Sequence, residues 1–343
     1  MTDPEGYAVY EGPAAGDTIE IEGIQPWSHA APVLYHAVLT LRDADGVLQE
    51  VVPYDIGFRR FEMINGVMCL NGERVVFNGV NRHEWNADRG RAIGADDMHA
   101  AMAVFKKNNI NAVRTCHYPD QSLWYDLCDR NGIYMIDETN LESHGSWMKL
   151  GAIEPSWNVP GSLPEWKDCV VDRARSMFER DKNHAAVLIW SCGNESYAGE
   201  DILAMSQFFH DHDPGRLVHY EGVFHCRAFD AISDMESRMY AKPWEIREYL
   251  ESHPKKPFIL CEYMHDMGNS LGGMESYVRL ADEFDQYQGG FIWDYMDQAL
   301  RHTDALGRSV LGYGGDFADR NTDYNFSGNG IVYADGAEKP AMQ

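Results

Sequence analysis

Short apolar runs alternate with helical patterns from residue 73 onward. Runs rich in β-branched and aromatic residues predict eight strands, at 75–82, 111–118, 133–140, 186–194, 217–222, 231–240, 257–264 and 288–296. Amphipathic stretches between them predict helices at about 95–108, 120–131, 164–181, 199–212, 243–252 and 273–286. Eight strands in this alternation are typical of a parallel (β/α)₈ barrel, an α/β fold of the TIM-barrel class.

Two irregularities are expected in this barrel. The segment between the fifth and sixth predicted strands has room for a loop but not for a helix, so helix five should be absent. Residues 297–343 are rich in Gly, Asp and Asn and contain no clear helical period. We therefore expect a distorted barrel whose helix eight is truncated.

The first 60 residues show a different, β-type pattern. Residues 35–42 alternate apolar and polar positions, residues 43–46 (DADG) form a turn signal, and residues 47–52 predict the returning strand. These are fewer strands than an independent sandwich needs. We interpret residues 1–62 as a partial immunoglobulin-like β-sandwich and residues 63–343 as the catalytic barrel.

Composition narrows the classes of partner. The chain has 29 Lys and Arg against 54 Asp and Glu, a formal net charge of −25, which disfavours nucleic acids and anionic membranes and leaves a neutral substrate favoured. No apolar run approaches the ~20 residues of a membrane span, and no secretory signal precedes the first strand. The seven cysteines contain no Cys-x-x-Cys pair, which favours a reduced, cytoplasmic protein.

Two glutamates stand at the ends of long apolar strands, where a barrel builds its site. Glu195 follows AVLIWSCGN and Glu262 follows PFILC. A carboxylate at an apolar strand end is costly unless it is paired or used, and two of them without a phosphate loop suggest glycoside hydrolysis. The alternative is that they form structural salt bridges with Arg82 and Arg114.

Seven blocks of sequence carry a resemblance to a known family. They are NRHEWN (81–86), RTCHYPD (114–120), LWYDLCDRNGIYMIDETNLESHG (123–145), RDKNHAAVLIWSCGNES (180–196), ILCEYMHDMGNSLGG (259–273), QGGFIWDYMDQAL (288–300) and YGGDF (313–317). In this order and spacing they closely resemble the long β-galactosidases of glycoside hydrolase family 2. The resemblance extends from about residue 27 to residue 343 and includes the partial sandwich.

The resemblance implies a retaining glycosidase that removes terminal β-D-galactose from β-galactosides such as lactose. Glu195 matches the family's acid/base and Glu262 its nucleophile, so the reaction would pass through a covalent galactosyl-enzyme. Glu142, His144 and Glu195 match the ligands of an active-site Mg²⁺. The backbone carbonyl of Phe326 and the amide of Asn329 resemble ligands of a Na⁺ ion.

The same resemblance implies the residues that contact sugar. Tyr240 matches a tyrosine that hydrogen-bonds the nucleophile, and Trp293 matches the aromatic floor of the galactose subsite. Asn194 would bind the sugar's 2-hydroxyl. The full set of expected substrate contacts is His83, His117, Asn194, Tyr240, His265, Trp293 and Asn329.

Some family features have no counterpart in this chain. The N-terminal sugar-binding domain and the C-terminal sandwich domains are missing, and Trp85 and Asn86 stand where some relatives carry His. We therefore expect full activity to need the missing domains or self-association. The alternatives are a β-glucuronidase of the same family, a catalytically silent sugar-binding fragment, and a metal-dependent amidohydrolase. An amidohydrolase is disfavoured because it needs a His-x-His motif on the first strand, and this chain has Asn-Arg-His-Glu at 81–84.

Overall fold

Eight parallel strands form a barrel in the computed structural model, which describes residues 1–14, 18–268 and 270–342. The strands are β1 Phe77–Asn81, β2 Ala112–Arg114, β3 Tyr134–Glu138, β4 Val187–Ser191, β5 Leu217–His219, β6 Glu236–Met239, β7 Phe258–Tyr263 and β8 Tyr287–Ile292. Their order around the sheet is β5-β4-β3-β2-β1-β8-β7-β6. The predicted barrel is confirmed.

Helices cover the outside of the barrel where the sequence predicts them. They are α1 Ala95–Lys107, α2 Ser122–Asn131, α3 Pro164–Asp181, α4 Glu200–His212, α5 Pro243–Glu251 and α6 Glu275–Glu283. Each buries one apolar stripe against the strands, as Met98, Met102 and Phe105 of α1 illustrate. This amphipathic packing sets the strand ends, and therefore the site, in fixed positions.

The barrel has one irregular seam, between β5 and β6. These two strands form no ladder with each other, and two short 3₁₀ helices, Glu221–Phe224 and Arg227–Ile232, replace an α-helix there. The seam is closed mainly by side chains: Val218 N donates to Asp234 Oδ2 at 2.7 Å, and His219 Nε2 lies 2.8 Å from Ser237 Oγ. The expected absence of helix five is confirmed.

The segment after β8 contains no α-helix among the residues described up to 342. It forms a hairpin, Leu300–Thr303 with Ser309–Gly312, and 3₁₀ turns at Tyr324–Ser327 and Pro340–Met342. Its backbone docks on β8, since Asp294 N donates to Asn329 O at 2.9 Å. The irregular segment thereby reaches the mouth of the barrel.

The N-terminal strands lie beside the barrel. Tyr35–Arg42 and Leu48–Ile56 form the expected antiparallel hairpin, whose apolar residues such as Val38, Leu41 and Val51 are exposed. A small three-stranded sheet follows, with strands Phe61–Ile64, Val67–Leu70 and Glu73–Arg74.

A buried tryptophan and a half-buried arginine attach the N-terminal segment to the barrel. Trp27 is fully buried, and its Nε1 donates to Asp129 O at 2.8 Å. Arg59 Nε donates to Ala185 O at 2.7 Å. These contacts hold the segment against the barrel's outer layer.

The remaining short elements lie in the loop after β3. They are one helical turn, His144–Trp147, and the paired strands Met148–Lys149 and Ala152–Ile153. No helix in the described ranges has both the length and the apolar character that crossing a bilayer requires. All seven cysteines are free thiols.

Close packing between β1 and β8 depends on a glycine. Gly79 pairs with Phe291, and a methyl group added at Gly79 would lie 2.3 Å from a carbon of the Phe291 ring. Phe291 is fully buried and packs against Phe77 at a ring-centroid distance of 5.5 Å. The ring cannot move away without disturbing the barrel interior.

We predict that Gly79→Ala lowers the free energy of unfolding by about 2–3 kcal/mol because it overpacks this contact. Gly215→Ala is the matched control: its added methyl would meet Asp213 at an ordinary 3.6 Å. Urea denaturation of both variants checks the prediction, and equal midpoints would contradict it.

Candidate active site

One buried arginine of β2 is bonded to β1, β3, β7 and the loop after β4 at the mouth of the barrel. Arg114 ends β2, is fully buried, and uses all five of its N–H donors. Nε and Nη2 donate to Glu138, at 2.7 and 3.1 Å. Nη1 donates to Asn81 at 2.9 Å and to Glu262 at 3.0 Å, and Nη2 also donates to Asn194 at 2.8 Å. Burial alone would lower the pKa of Arg114, but the carboxylates, foremost Glu138, raise it well above its ordinary value.

Glu138, at the end of β3, is the anion that anchors this arginine. Its two oxygens also accept hydrogen bonds from His117 Nδ1 at 2.8 Å and Ser191 Oγ at 2.7 Å. Burial raises the pKa of Glu138, but Arg114 and then His117 outweigh burial, so the pKa is lowered. An ionised Glu138 can only accept, and His117 therefore carries a proton on Nδ1 and presents Nε2 to the cavity.

Glu262 is buried within β7 and receives two strong donors. Arg114 Nη1 donates to Oε1 at 3.0 Å, and the Tyr240 hydroxyl donates to Oε2 at 2.7 Å. His117 Nε2 lies 3.9 Å from Oε1. Burial and the charge of Glu262 raise the pKa of Tyr240, so the phenol stays protonated and remains a donor. Two donors to one carboxylate favour its ionised form.

Glu195 follows β4 in an uncommon backbone conformation. Its φ is +40°, a left-handed value that costs a non-glycine residue energy and that surrounding contacts must hold. Its N–H donates to Glu221 Oε1 at 2.7 Å, and its carbonyl accepts from Trp147 Nε1 at 2.8 Å. These two bonds fix the direction of the Glu195 side chain.

The Glu195 carboxyl lies among other carboxylates, whereas Glu262 lies among hydrogen-bond donors. Burial and the charge of Glu262 raise the pKa of Glu195, Glu142 adds to this, and His144 opposes it. His144 Nδ1 lies 2.5 Å from Glu195 Oε2. Two carboxyls whose surroundings differ in this way can divide the roles of acid and anion between them.

An aromatic wall stands on the β1, β2 and β8 side of these carboxylates. The His117 ring stacks on Trp293, with centroids 5.3 Å apart and planes at 7°. His83 meets both rings edge-on, at 5.8 and 5.6 Å. Burial, and then His117, lowers the pKa of His83 well below its usual value, so it is neutral. A flat wall with ring nitrogens at its edge suits the C–H face and hydroxyls of a sugar.

The three expected Mg²⁺ ligands are brought to one side of the site but are not all in mutual contact. His144 and Glu195 meet, whereas Glu142 Oε1 accepts from Asn194 Nδ2 at 3.3 Å. Two other places in the described part of the chain bring three potential metal ligands (His, Cys, Asp or Glu) together, with their ligand atoms within 4.8 Å of one another. They are His83–Cys116–His117 and His219–Glu221–Cys261.

The two residues expected to bind Na⁺ lie on the segment after β8. Asn329 is buried, and its Oδ1 accepts no hydrogen bond from the described part of the chain. Phe326 is exposed and packs edge-on against His265 at 6.0 Å. His265, which follows β7, lies 5.7 Å from the Tyr240 ring and therefore on the same side of the cavity as Glu262.

The family of the chain follows from sequence comparison. Residues 61–343 match the family model described as "Glycosyl hydrolases family 2, TIM barrel domain", and residues 4–59 match that described as "Glycosyl hydrolases family 2". The chain belongs to glycoside hydrolase family 2. The glycosidase family expected from the sequence is confirmed.

Several curated family 2 proteins are similar to this chain over most of its length. It is 62% identical to a beta-galactosidase of Halalkalibacterium halodurans over 92% of this chain and 31% of that protein. It is 61% identical to one of Clostridium acetobutylicum, over 95% and 36%. It is 57% identical to a beta-galactosidase large subunit of Lactobacillus acidophilus, over 94% and 52%. The chain spans about a third to a half of the length of these relatives.

Solved family 2 structures share the fold. The crystal structure of a beta-glucuronidase from Ruminococcus gnavus superposes with a TM-score of 0.79 over 99% of this chain and 61% of that one. The two sequences are 21% identical. At this identity the likeness extends to the fold of the barrel and its preceding strands.

Sequence reasoning missed some of the residues that organise the family 2 site. Arg114 was expected only as a structural salt-bridge partner, and it does pair with Glu262, but it also joins Glu138 and Asn194. Arg82 pairs instead with Asp120, at 2.6 Å. Trp147 and Glu221 carry no sequence signal for their role, because each acts through the backbone of Glu195.

We predict that Arg114→Met lowers the free energy of unfolding by about 3–5 kcal/mol, because it leaves Glu138 and Glu262 buried without their cation. Arg130→Met, which breaks an exposed pair with Asp55 at 3.2 Å, should cost less than about 1 kcal/mol. Chemical denaturation compares them, and a stable Arg114→Met variant would contradict the prediction.

Proposed function

We propose that this chain is the catalytic part of a retaining β-galactosidase that removes terminal β-D-galactose from β-galactosides such as lactose. The observation that carries the proposal is the pairing of Glu262, held as an anion by two donors, with Glu195, whose pKa is raised. The names of its relatives at 57–62% identity support galactose as the sugar.

The first step would form a galactosyl-enzyme. Glu262 attacks the anomeric carbon while protonated Glu195 gives its proton to the leaving oxygen. Tyr240 and Arg114 limit the basicity of the nucleophile and hold it in line. Because Glu195 must be protonated here, we expect the rate to fall as the pH rises through its raised pKa.

The second step would return the enzyme to its starting state. Glu195, now ionised, removes a proton from water, and the water attacks the anomeric carbon and releases Glu262. Asn194 keeps a side-chain N–H free for the sugar's 2-hydroxyl, since its Oδ1 is bound by Arg114. His83, His117 and Trp293 would position the galactose ring, with His265 and Asn329 on its other side.

We further propose that Glu142, His144 and Glu195 hold Mg²⁺. Two carboxylates and one imidazole form a donor set that this ion accepts. Among the described residues, the Glu142 carboxylate is held only by a 3.3 Å bond from Asn194, so the side chain can turn to a cation. A bound divalent cation would supply positive charge that adjusts the acidity of Glu195. The unpaired Asn329 Oδ1 and the Phe326 carbonyl are the proposed Na⁺ ligands.

Partners and location are also proposals. The Lactobacillus acidophilus relative is named a large subunit, and this chain spans 52% of it. This supports a requirement for further domains or subunits for full activity. The seven free thiols support a reducing, cytoplasmic location.

One observation favours β-glucuronidase as a second candidate. Arg91 lines a cavity of about 460 Å³ together with His83 and Trp293, and a guanidinium there could bind a uronate carboxylate. The 57–62% identity to proteins named beta-galactosidase favours a galactoside instead.

The test of the proposed function is covalent labelling of the nucleophile. A 2-fluoro-β-galactosyl inactivator should attach to Glu262, and Glu262→Gln should lose at least about 10³-fold in kcat on nitrophenyl β-galactoside. Peptide mass spectrometry locates the label. Glu275→Gln, an exposed glutamate on α6, is the matched control and should keep parent activity. Labelling of another carboxylate, or turnover of nitrophenyl β-glucuronide alone, would contradict the proposal.

A second experiment tests the metal site. Chelation should reduce hydrolysis and Mg²⁺ should restore it, and Mg²⁺ should raise the melting temperature of the parent but not that of Glu142→Gln. Glu154→Gln, in an exposed pair with Lys149, is the control and should keep the thermal response. Equal melting curves of the parent with and without Mg²⁺ would contradict the site.

A further inference from the structure

A second cavity opens beside the proposed acid/base, away from the aromatic wall. It has a volume of about 300 Å³ and lies over the irregular seam between β5 and β6. Glu195 and His144 line one side of it, and Tyr240 lines another. His83, His117 and Trp293 do not line it.

The position of this cavity relative to the two carboxylates shows which part of the substrate would face it. Trp293 and His117 lie on the β1, β2 and β8 side of Glu262, where we place the galactose ring. The Glu195 carboxyl must reach the oxygen that departs, and it faces the other cavity. The group attached to that oxygen therefore points over the β5–β6 seam.

Aromatic side chains give this cavity a stacking surface. Trp147 is buried and lies 5.4 Å from His144 and 5.1 Å from His225. His225 in turn lies 5.2 Å from Phe224, which is 43% exposed. The Arg238 guanidinium, which also lines the cavity, lies 4.7 Å from the centre of the Phe224 ring and holds it in place. A phenyl ring that is partly exposed in this cavity is suited to the C–H face of a sugar.

A buried polar atom accompanies the aromatic surface. Glu221 lines the cavity, and its residue is only 5% exposed. Oε1 accepts the Glu195 N–H, whereas Oε2 has no hydrogen-bond partner among the described residues. Because Oε2 is out of reach of solvent, Glu221 contributes to the cavity by fixing the Glu195 backbone.

We propose that this cleft, formed by Trp147, Phe224, His225 and Glu221, is the binding subsite for the leaving-group sugar. It would take a hexose ring that lays an apolar face on Phe224 while Glu221 holds Glu195 in position beside it. The inference rests on the proposed function, because it needs Glu195 to be the proton donor. It makes the β5–β6 segment of this chain a determinant of aglycone choice.

The test measures capture of the galactosyl-enzyme by a sugar. β-Galactosyl fluoride forms that intermediate without a leaving-group ring, and added glucose then competes with water for it. The ratio of transfer to hydrolysis reports the subsite alone. Phe224→Ala should lower this ratio about five-fold, and Phe224→Tyr, which keeps the ring, should restore most of it.

Trp166→Ala removes an exposed aromatic side chain on α3 and serves as the matched control, with an unchanged ratio expected. An unchanged ratio in Phe224→Ala, or an equal loss in Phe224→Tyr, would overturn the inference. Absence of any turnover of galactosyl fluoride would instead contradict the proposed function.

A binding measurement decides the inference without turnover. Saturation-transfer NMR of lactose with the Glu262→Gln variant should show contact to both rings. Adding Phe224→Ala should reduce the signal of the glucose protons and retain that of the galactose protons. Saturation confined to galactose in the Glu262→Gln variant, or no saturation at all, would overturn the subsite.

Discussion

The buried charge of Arg114 is the interaction on which the rest of the site depends. The ends of β1, β3, β4 and β7 bring Asn81, Glu138, Asn194 and Glu262 to one place inside a barrel where unpaired charges are costly. A single planar cation with five donors satisfies all four at once and fixes their geometry. Replacing it with lysine would keep the charge but lose the fork that joins these residues. Its neighbours gain their orientation from it, as His117 does through Glu138.

The two glutamates have different neighbours. Glu262 lies between a guanidinium and a phenol, and both donate to its carboxylate. Burial, and then the charge of Glu262, raises the pKa of Glu195, while His144 opposes them. The same residue type thus meets two different environments within one cavity. The barrel achieves this because its strands direct their last residues toward a common mouth.

The barrel and most of the site could be predicted from the sequence, for physical reasons that differ. The barrel could be predicted because strands such as 186–194 and helices such as 164–181 have strong local periodicity. The two glutamates could be predicted because each follows an apolar run, where a carboxylate is costly unless it takes part in binding or chemistry. The roles of Arg114 and Glu221 depend on which distant groups they meet, and local pattern does not contain that information. The expected meeting of Glu142 with His144 and Glu195 rests on resemblance alone, because side-chain rotation decides it.

The seam between β5 and β6 affects both the local dynamics of the barrel and its tolerance of sequence changes. Most other barrel strands are held by ladders of backbone hydrogen bonds, whereas this junction depends on side chains such as Asp234, His219 and Ser237. Its amide protons should exchange with solvent faster than those of β3 or β4. Insertions and substitutions in residues 227–232, which leave Glu221 and its bond to the Glu195 backbone intact, would therefore disturb the Arg114 network little. Evolution, or an engineer, could vary this part of the segment while Glu195 and Glu262 keep their positions.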